Sequence, residues 1–211
     1  LVSSGTYIDA ALWIGSRICE AVAYAHSKRV IHGDIKPANV LLDSNGYPFL
    51  FDFNLSREEG STADLGGTLP YMPPEHLCLL TDESDDPHHA TASAEVYSLG
   101  VTLYELVSGR LPFTVEPGEK DPVSRLLALQ RRGPWPLARM GVDRSVAAVI
   151  ESCLAFDPTT RPASASELAA RLRRLVQLSS RATRWARRHP RSVLSIATGI
   201  TAAAVSLSVW F

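Results

Sequence analysis

The chain has almost no excess of charge of either sign: 21 Lys and Arg stand against 22 Asp and Glu, a formal net charge of −1. A surface without a basic surplus gives no electrostatic footprint for nucleic acid, and no nucleic-acid partner is expected. Cysteine is scarce. Cys19, Cys78 and Cys153 lie far apart, and no C-x-x-C pair occurs. That scatter argues against a disulfide framework or a thiolate metal site, and suits small buried thiols in a reducing compartment. Residues 1–20 lack a basic stretch ahead of an apolar run, so no signal peptide is expected there. No internal repeat is visible. What remains is a 211-residue chain that is 45% hydrophobic. This is enough for one domain with a sizeable core plus an appendage, and it argues against disorder.

A long uncharged run occurs at the C-terminus. Residues 192–211, SVLSIATGITAAAVSLSVWF, carry no charge. As a helix they would span about 30 Å, the thickness of a hydrocarbon core. Six Ser and Thr residues dilute the run, but their hydroxyls can bond back to a helix. Arg181, Arg184, Arg187, Arg188, His189 and Arg191 precede it. A basic flank keeps its own side cytoplasmic. The expectation is a single transmembrane helix over 192–211 and a basic juxtamembrane linker over 179–191, with the preceding domain in the cytoplasm.

The first 178 residues read as mainly helical around one small hairpin. Ile14, Ile18, Val22 and Ala25 share one side of a helix expected over 9–28. Val40 to Asp43, Ser44-Asn45-Gly46 and Tyr47 to Phe51 read as a hairpin, with Asn-Gly supplying the positive-φ positions of its turn. Residues 54–70 read as a loop, and 81–92 as a second polar stretch containing acids and His88-His89. Ala94 to Ser108 is an apolar helix closed by Gly109. Pro112, Pro117, Pro122, Pro134 and Pro136 break up the next region. Two further helices are expected over 142–155 and 165–178, the second opened by Ser164 and Glu167 as a capping box.

The chemistry gathers around the hairpin. Asp34 and Lys36 precede it, Asn39 opens it, and Asp52 closes it. A hairpin folds its two ends together, so Asn39 and Asp52 come opposite one another. An amide oxygen and a carboxylate on facing strand ends are hard ligands of the kind Mg²⁺ takes, with phosphate oxygens and water completing its shell. Phosphoryl transfer needs such a metal, a positioned hydroxyl and a cation on the transferred group. Asp34 can accept the hydroxyl's hydrogen bond and proton, and Lys36 can neutralise a γ-phosphate. His32 reads as a packed, hydrogen-bonded structural residue. His26 and His88-His89 have no partner ligands at metal spacing and read as surface or core residues. Acids 82–86 read as a solvated loop.

These residues resemble the signature of serine/threonine protein kinases. The family's H-R-D-L-x-x-x-N stands here as His32-Gly33-Asp34-Ile35-Lys36-Pro37-Ala38-Asn39, with the Lys at Asp+2 that marks the serine/threonine branch. D-F-G stands as Asp52-Phe53-Asn54. A-P-E stands as Pro73-Pro74-Glu75, preceded by Gly67 to Met72. Glu95 to Gly100 resembles D-V-Y-S-L-G, Gly109 to Phe113 the segment that follows it, and Asp157 to Pro162 the late D-P-x-x-R-P. A lone H-x-D is common by chance; six motifs in order and at the right spacing are not.

The resemblance covers about residues 8–178. It implies the C-terminal lobe of a protein kinase domain (1–178), with ATP and Mg²⁺ as cofactors and protein Ser/Thr hydroxyls as substrates. It implies that Thr68 contacts Asp34 and Lys36 in the substrate loop, that Glu95 buttresses the catalytic loop, and that Arg161 pairs with Glu75. The glycine-rich loop and strand Lys of the N-terminal lobe have no counterpart in the chain; in the family they precede the matched segment. The isolated chain is therefore expected to bind ATP poorly and to transfer phosphate slowly or not at all.

Four positions depart from the pattern: Gly33 for Arg, Asn54 for Gly, Pro73 for Ala and Glu95 for Asp. In the family the Arg at position 33 grips a phosphate on the activation loop, so its loss implies weak dependence on loop phosphorylation. Asn54 tolerates left-handed backbone better than most residues. A pseudokinase or scaffold built on the same lobe is the second reading, and a small-molecule phosphotransferase the third. The lobe, basic linker and span together resemble bacterial membrane-anchored serine/threonine kinases.

Overall fold

The computed structural model describes residues 6–59, 66–81 and 91–188. The chain divides into two compact units, Leu1–Leu175 and Val176–Phe211. In the first, α1 (Tyr7–Ser27) opens on a capping box: Thr6 Oγ1 accepts from Asp9 N–H, and Asp9 Oδ2 accepts from Thr6 N–H. Two short strands follow a turn. β1 (Val30–Ile31) leads into the segment 32–36, and β2 (Val40–Leu42) leaves it through one 3-10 turn, Pro37–Asn39.

β2 pairs antiparallel with β3 (Pro48–Leu50), in the register Val40 to Leu50 and Leu42 to Pro48. The connection is longer than an Asn-Gly two-residue turn. Asp43 organises it by accepting from Asn45 N–H at 2.9 Å and Tyr47 N–H at 2.7 Å, an Asx-type turn. Only Gly46 there has a positive φ, at 78°. Trp13 of α1 packs edge-on against Tyr47, with ring centroids 5.3 Å apart.

At both ends of the stretch expected as a loop over 54–70, described residues form regular structure. Phe53–Leu55 forms a 3-10 turn, and β4 (Arg57–Glu58) pairs antiparallel with β1. A second 3-10 turn, Leu69–Tyr71, precedes α2 (Pro74–Leu80).

α3 (Ala92–Ser108) is the hub of the core. It begins two residues before the expected start, because Thr91 caps it from the Ala94 N–H. Val96, Tyr97, Leu99, Val101 and Leu103 have at most 1% of their surface exposed. A helix apolar on all sides is stable only when enclosed on all sides. α1 covers one face and α5 (Arg144–Cys153) another. A Cβ at Gly100 would lie 2.5 Å from Cys153 Cβ, so glycine there lets α3 and α5 approach closely. Cys19 and Cys153 are buried thiols; burial pushes Cys153 up to about 12.

The proline-rich region contains an unexpected helix, α4 (Pro122–Arg132). Pro122 stands at its first turn, where the missing N–H costs nothing, and Asp121 caps it from the Ser124 N–H. α6 (Ala165–Arg188) continues through ten residues expected to belong to the linker. Residues 179–188 are rich in Arg and Ala and contain neither Gly nor Pro, so nothing local ends the helix at Leu178. Ser164 Oγ accepts from Glu167 N–H, but the Glu167 carboxylate reaches back to Ala163 N–H rather than to that of Ser164. No helix among the described residues is long and apolar enough to cross a membrane. The expected span 192–211, acids 82–86 and His88-His89 lie outside the described residues.

Candidate active site

The segment between β1 and β2 carries the densest polar network. Lys36 Nζ donates to Asp34 Oδ2 at 2.6 Å and to Thr68 Oγ1 at 2.6 Å. Thr68 Oγ1 in turn donates to Asp34 Oδ1 at 2.8 Å. Asn39 Nδ2 donates to the Asp34 carbonyl at 2.8 Å and to Asp34 Oδ2 at 3.1 Å. Three side chains thus converge on one carboxylate. Burial pulls that carboxyl's pKa upward. The bonds from Lys36, Thr68 and Asn39 and the Lys36 charge outweigh burial and hold Asp34 below its ordinary value. Asp34 is therefore an anion at neutral pH, fixed in one orientation.

The loop that carries Asp34 is held from below. His32 is fully buried. Its Nε2 donates to the Phe51 carbonyl at 3.0 Å, and its Nδ1 accepts from Asp34 N–H at 3.3 Å. Both ring nitrogens serve the backbone, which fits a structural residue. Glu95, only 3% exposed, uses both carboxylate oxygens: Oε1 accepts from Gly33 N–H at 2.8 Å and Oε2 from His26 Nε2 at 2.7 Å. His26 is thus a partner of the loop's anchor, a link that no local spacing in the sequence announces. It is 69 positions from Glu95.

Gly33 has a structural reason. Its φ is +85°, and a Cβ there would lie 2.7 Å from the Leu55 carbonyl oxygen. The backbone of the 53–55 turn occupies the space in which a side chain at 33 would begin. The left-handed conformation expected to matter at Asn54 falls instead on Asp52, with φ 64°.

Asn39 and Asp52 flank the mouth of the hairpin, with Phe51 rather than Asp52 opposite Asn39. Phe51 N–H donates to the Asn39 carbonyl at 3.1 Å, which places Asp52 one residue beyond the pairing. The Asn39 amide nitrogen is turned to Asp34, so its Oδ1 is the atom left for a cation. Among the described residues no group of three or more His, Cys, Asp and Glu gathers as a metal cage. The donor set is one amide oxygen and one carboxylate. It fits a hard divalent cation that shares its shell with phosphate, as Mg²⁺ does.

The segment from Thr68 to Glu75 is tied to the core at several points. Tyr71 OH donates to Glu105 Oε2 at 2.5 Å, and Ser98 Oγ donates to the Tyr71 carbonyl at 2.9 Å. Burial, then the Glu105 bond and charge, push the Tyr71 phenol far above its ordinary value, so it stays a donor. The Arg161 guanidinium forks onto Glu75, NH1 to Oε1 and NH2 to Oε2, each at 2.7 Å. It also donates to the carbonyls of Ala155, Ser93 and Phe156, and lies 5.0 Å from the Tyr97 ring. No sequence signal assigns a role to Glu105, and Tyr71 is marked only by lying inside the run 67–72 that carries the resemblance.

The protein kinase domain family matches residues 8–172, most of the chain. The chain belongs to the protein kinase family. Its relatives include serine/threonine-protein kinase PkaA of Streptomyces coelicolor, 36% identical over 172 residues, with 78% of this chain and 29% of the relative covered. Serine/threonine-protein kinase PknK of Mycobacterium tuberculosis is 32% identical over 166 residues, covering 77% of this chain and 14% of the relative. Serine/threonine-protein kinase PknB of the same species is 32% identical over 166 residues, covering 74% and 25%. The family is thus the serine/threonine kinase family as found in bacteria, and the chain spans less than a third of the length of these relatives. The mainly helical fold, with its hairpin and its Asp34 network, fits a kinase-like fold.

Proposed function

We propose that this chain is the catalytic lobe of a serine/threonine protein kinase, moving the ATP γ-phosphoryl group to a Ser or Thr hydroxyl of a protein. The observation that carries this reading is the Asp34 carboxylate, held ionised and oriented by Lys36, Thr68 and Asn39 within 3.1 Å. A hydroxyl arriving at Asp34 finds an acceptor already fixed, so little reorganisation remains for the reaction step. The low basicity of Asp34 makes orientation its larger contribution, with the proton passing to it late, as the hydroxyl becomes acidic. Lys36 spends two of its three donors on Asp34 and Thr68 and keeps one for a phosphate oxygen. Thr68 joins the substrate loop to the same carboxylate, which favours a protein substrate over a small molecule.

Asn39 and Asp52 would hold Mg²⁺. Bound there, the metal would neutralise charge on the phosphates of ATP. Leu41 and Phe49, paired directly across the hairpin and so on one face of it, are 57% and 56% exposed. In the proposal this apolar face is the floor of a nucleotide cleft whose roof in the family, the glycine-rich loop and strand Lys, has no counterpart in these 211 residues. The four departures from the family pattern, at Gly33, Asn54, Pro73 and Glu95, leave every group assigned to phosphate or metal in place, which favours an enzyme over a scaffold.

The test is phosphate transfer from labelled ATP to a generic protein substrate. The 211-residue chain alone is expected to show none. With the parent protein, Asp34→Asn is expected to cut the rate by about a hundredfold or more. Strong transfer by the isolated chain that vanishes in Asp34→Asn would refute the need for a roof. A parent that keeps its rate in that variant would refute the role of Asp34.

The proposal includes a membrane tether at 192–211, supported by the uncharged run and its basic flank. A reporter fusion of the whole chain should sediment with membranes, and removal of 190–211 should release it. A fusion that stays in the supernatant would count against the span.

A further inference from the structure

The near-zero net charge conceals a division along the chain. Residues 1–167 carry all 22 Asp and Glu and 13 of the 21 Lys and Arg, a formal charge of −9. Residues 168–211 carry eight Arg and no acid, a formal charge of +8. Five of these Arg lie between 181 and 191, directly ahead of the uncharged run. α6 continues through most of that stretch, to Arg188, so four of the five stand on a helix. A charge division of this kind points to a polyanionic surface as partner.

Helical geometry sorts the residues of this end by side. Leu178 and Trp185 are seven apart, Arg181 and Arg188 are seven apart, and the two pairs interleave at spacings of three and four. At 3.6 residues per turn these four positions share one narrow stripe, and Arg184 borders it. Ser179, Thr183 and Ala186 take the opposite side. Leu178 is 59% exposed. A stripe that alternates Arg with Leu and Trp suits a membrane interface, where phosphates meet the cations and the apolar groups enter the boundary beneath them.

The acidic part of a second copy is a weaker partner, because many of its acids are already spent. Asp34 is held by Lys36, Thr68 and Asn39, Glu75 by Arg161, Glu95 by Gly33 and His26, and Glu105 by Tyr71. Asp121, Asp143 and Asp157 cap helical turns. An anionic bilayer offers an unbroken sheet of phosphate instead.

We infer that the end of α6, residues 176–188, docks along the headgroups of anionic phospholipids. This adds a lipid preference to the proposed tether and stands apart from the kinase reading. Guanidinium groups fork onto phosphate oxygens with two N–H donors each. Each Arg held near an anionic surface strengthens association by roughly fivefold, so Arg181, Arg184 and Arg188 together contribute about a hundredfold. The gain fades as salt shortens the Debye length.

The experiment mixes the full 211-residue chain with vesicles of phosphatidylcholine alone, or of phosphatidylcholine with about a third phosphatidylglycerol. Sedimentation reads association, and amide hydrogen exchange reads the helix itself. Exchange over 176–188 should be about tenfold slower on the anionic vesicles than on the neutral ones. The Arg181→Gln/Arg184→Gln/Arg188→Gln variant should lose that difference, and Arg181→Lys/Arg184→Lys/Arg188→Lys should keep most of it. Gln and Lys are good helix formers, so both variants should stay helical, which circular dichroism checks. A chain that sediments only with anionic vesicles sustains the docking and sinks the span. A chain that sediments with both and exchanges equally on both sustains the span and overturns the docking. Sedimentation with neither overturns both. Slow exchange without vesicles that deepens with protein concentration would overturn the inference in favour of a second copy. Equal protection by inorganic phosphate alone would overturn it in favour of a simple anion site.

Discussion

Replacing Arg161 removes one end of a buried ion pair and three further hydrogen bonds at once. Its side chain has no exposed surface, whereas the Glu75 carboxylate keeps 27% of its own. The two partners are therefore not equivalent. Glu75→Ala leaves a buried guanidinium with only carbonyl partners. Breaking a buried pair costs about 3–5 kcal/mol, and the partial hydration of this site places it near the low end, about 3 kcal/mol. Arg161→Met loses the same pair and also leaves the carbonyls of Ala155, Ser93 and Phe156 without their donor, at roughly 1 kcal/mol each. It also gives up the contact with the Tyr97 ring. The expected total is about 5–6 kcal/mol, against the 5–15 kcal/mol that typically holds a domain together. Urea unfolding of the full chain, followed by far-ultraviolet circular dichroism, reads both. With a slope of about 2 kcal/mol per molar urea, Glu75→Ala should lower the midpoint by about 1.5 M, and Arg161→Met should leave little folded protein in buffer. Glu75→Gln, which keeps an acceptor, should fall between wild type and Glu75→Ala. If Glu75→Ala costs as much as Arg161→Met, the carbonyl bonds add nothing. If neither moves the midpoint, the pair is not buried as described.

Gly33→Ala should destabilise the fold by about 2 kcal/mol or more, combining a positive-φ penalty with a Cβ 2.7 Å from the Leu55 carbonyl. An unchanged urea midpoint would show that the 53–55 turn yields freely. The depressed pKa of Asp34 makes stability depend on acid. The unfolded state takes up the proton first, so the contribution is complete above about pH 5 and is lost as the pH falls through the folded value. Lys36→Met removes the strongest of the bonds that lower this pKa. The difference in unfolding free energy between wild type and this variant should therefore shrink with acidification, and a constant difference from neutral pH to pH 2 would refute the assignment.

Most of the catalytic segment is legible in the residues because it is local. Asp34, Lys36 and Asn39 lie within six consecutive positions, and a hairpin is the only short way to bring Asp52 back to Asn39. α3 is legible because an apolar helix without a polar face has to be enclosed. The helix α4 is hidden because proline reads as a breaker, while Pro122 and its capping Asp121 sit where a helix begins. β4 and its pairing with β1 are invisible because a two-residue strand has no periodicity to detect, and its partner is some 27 positions away.

The sequence by itself determined the family and the identity of the groups available for chemistry, since each rests on contiguous motifs. Only the tertiary structure decided how those groups are held. Glu95 reaches both Gly33 and His26, and the Leu55 carbonyl fills the space above Gly33. These relations join residues far apart in the chain. Packing around α3 sets their distances, and no local pattern of residues encodes a distance of that kind.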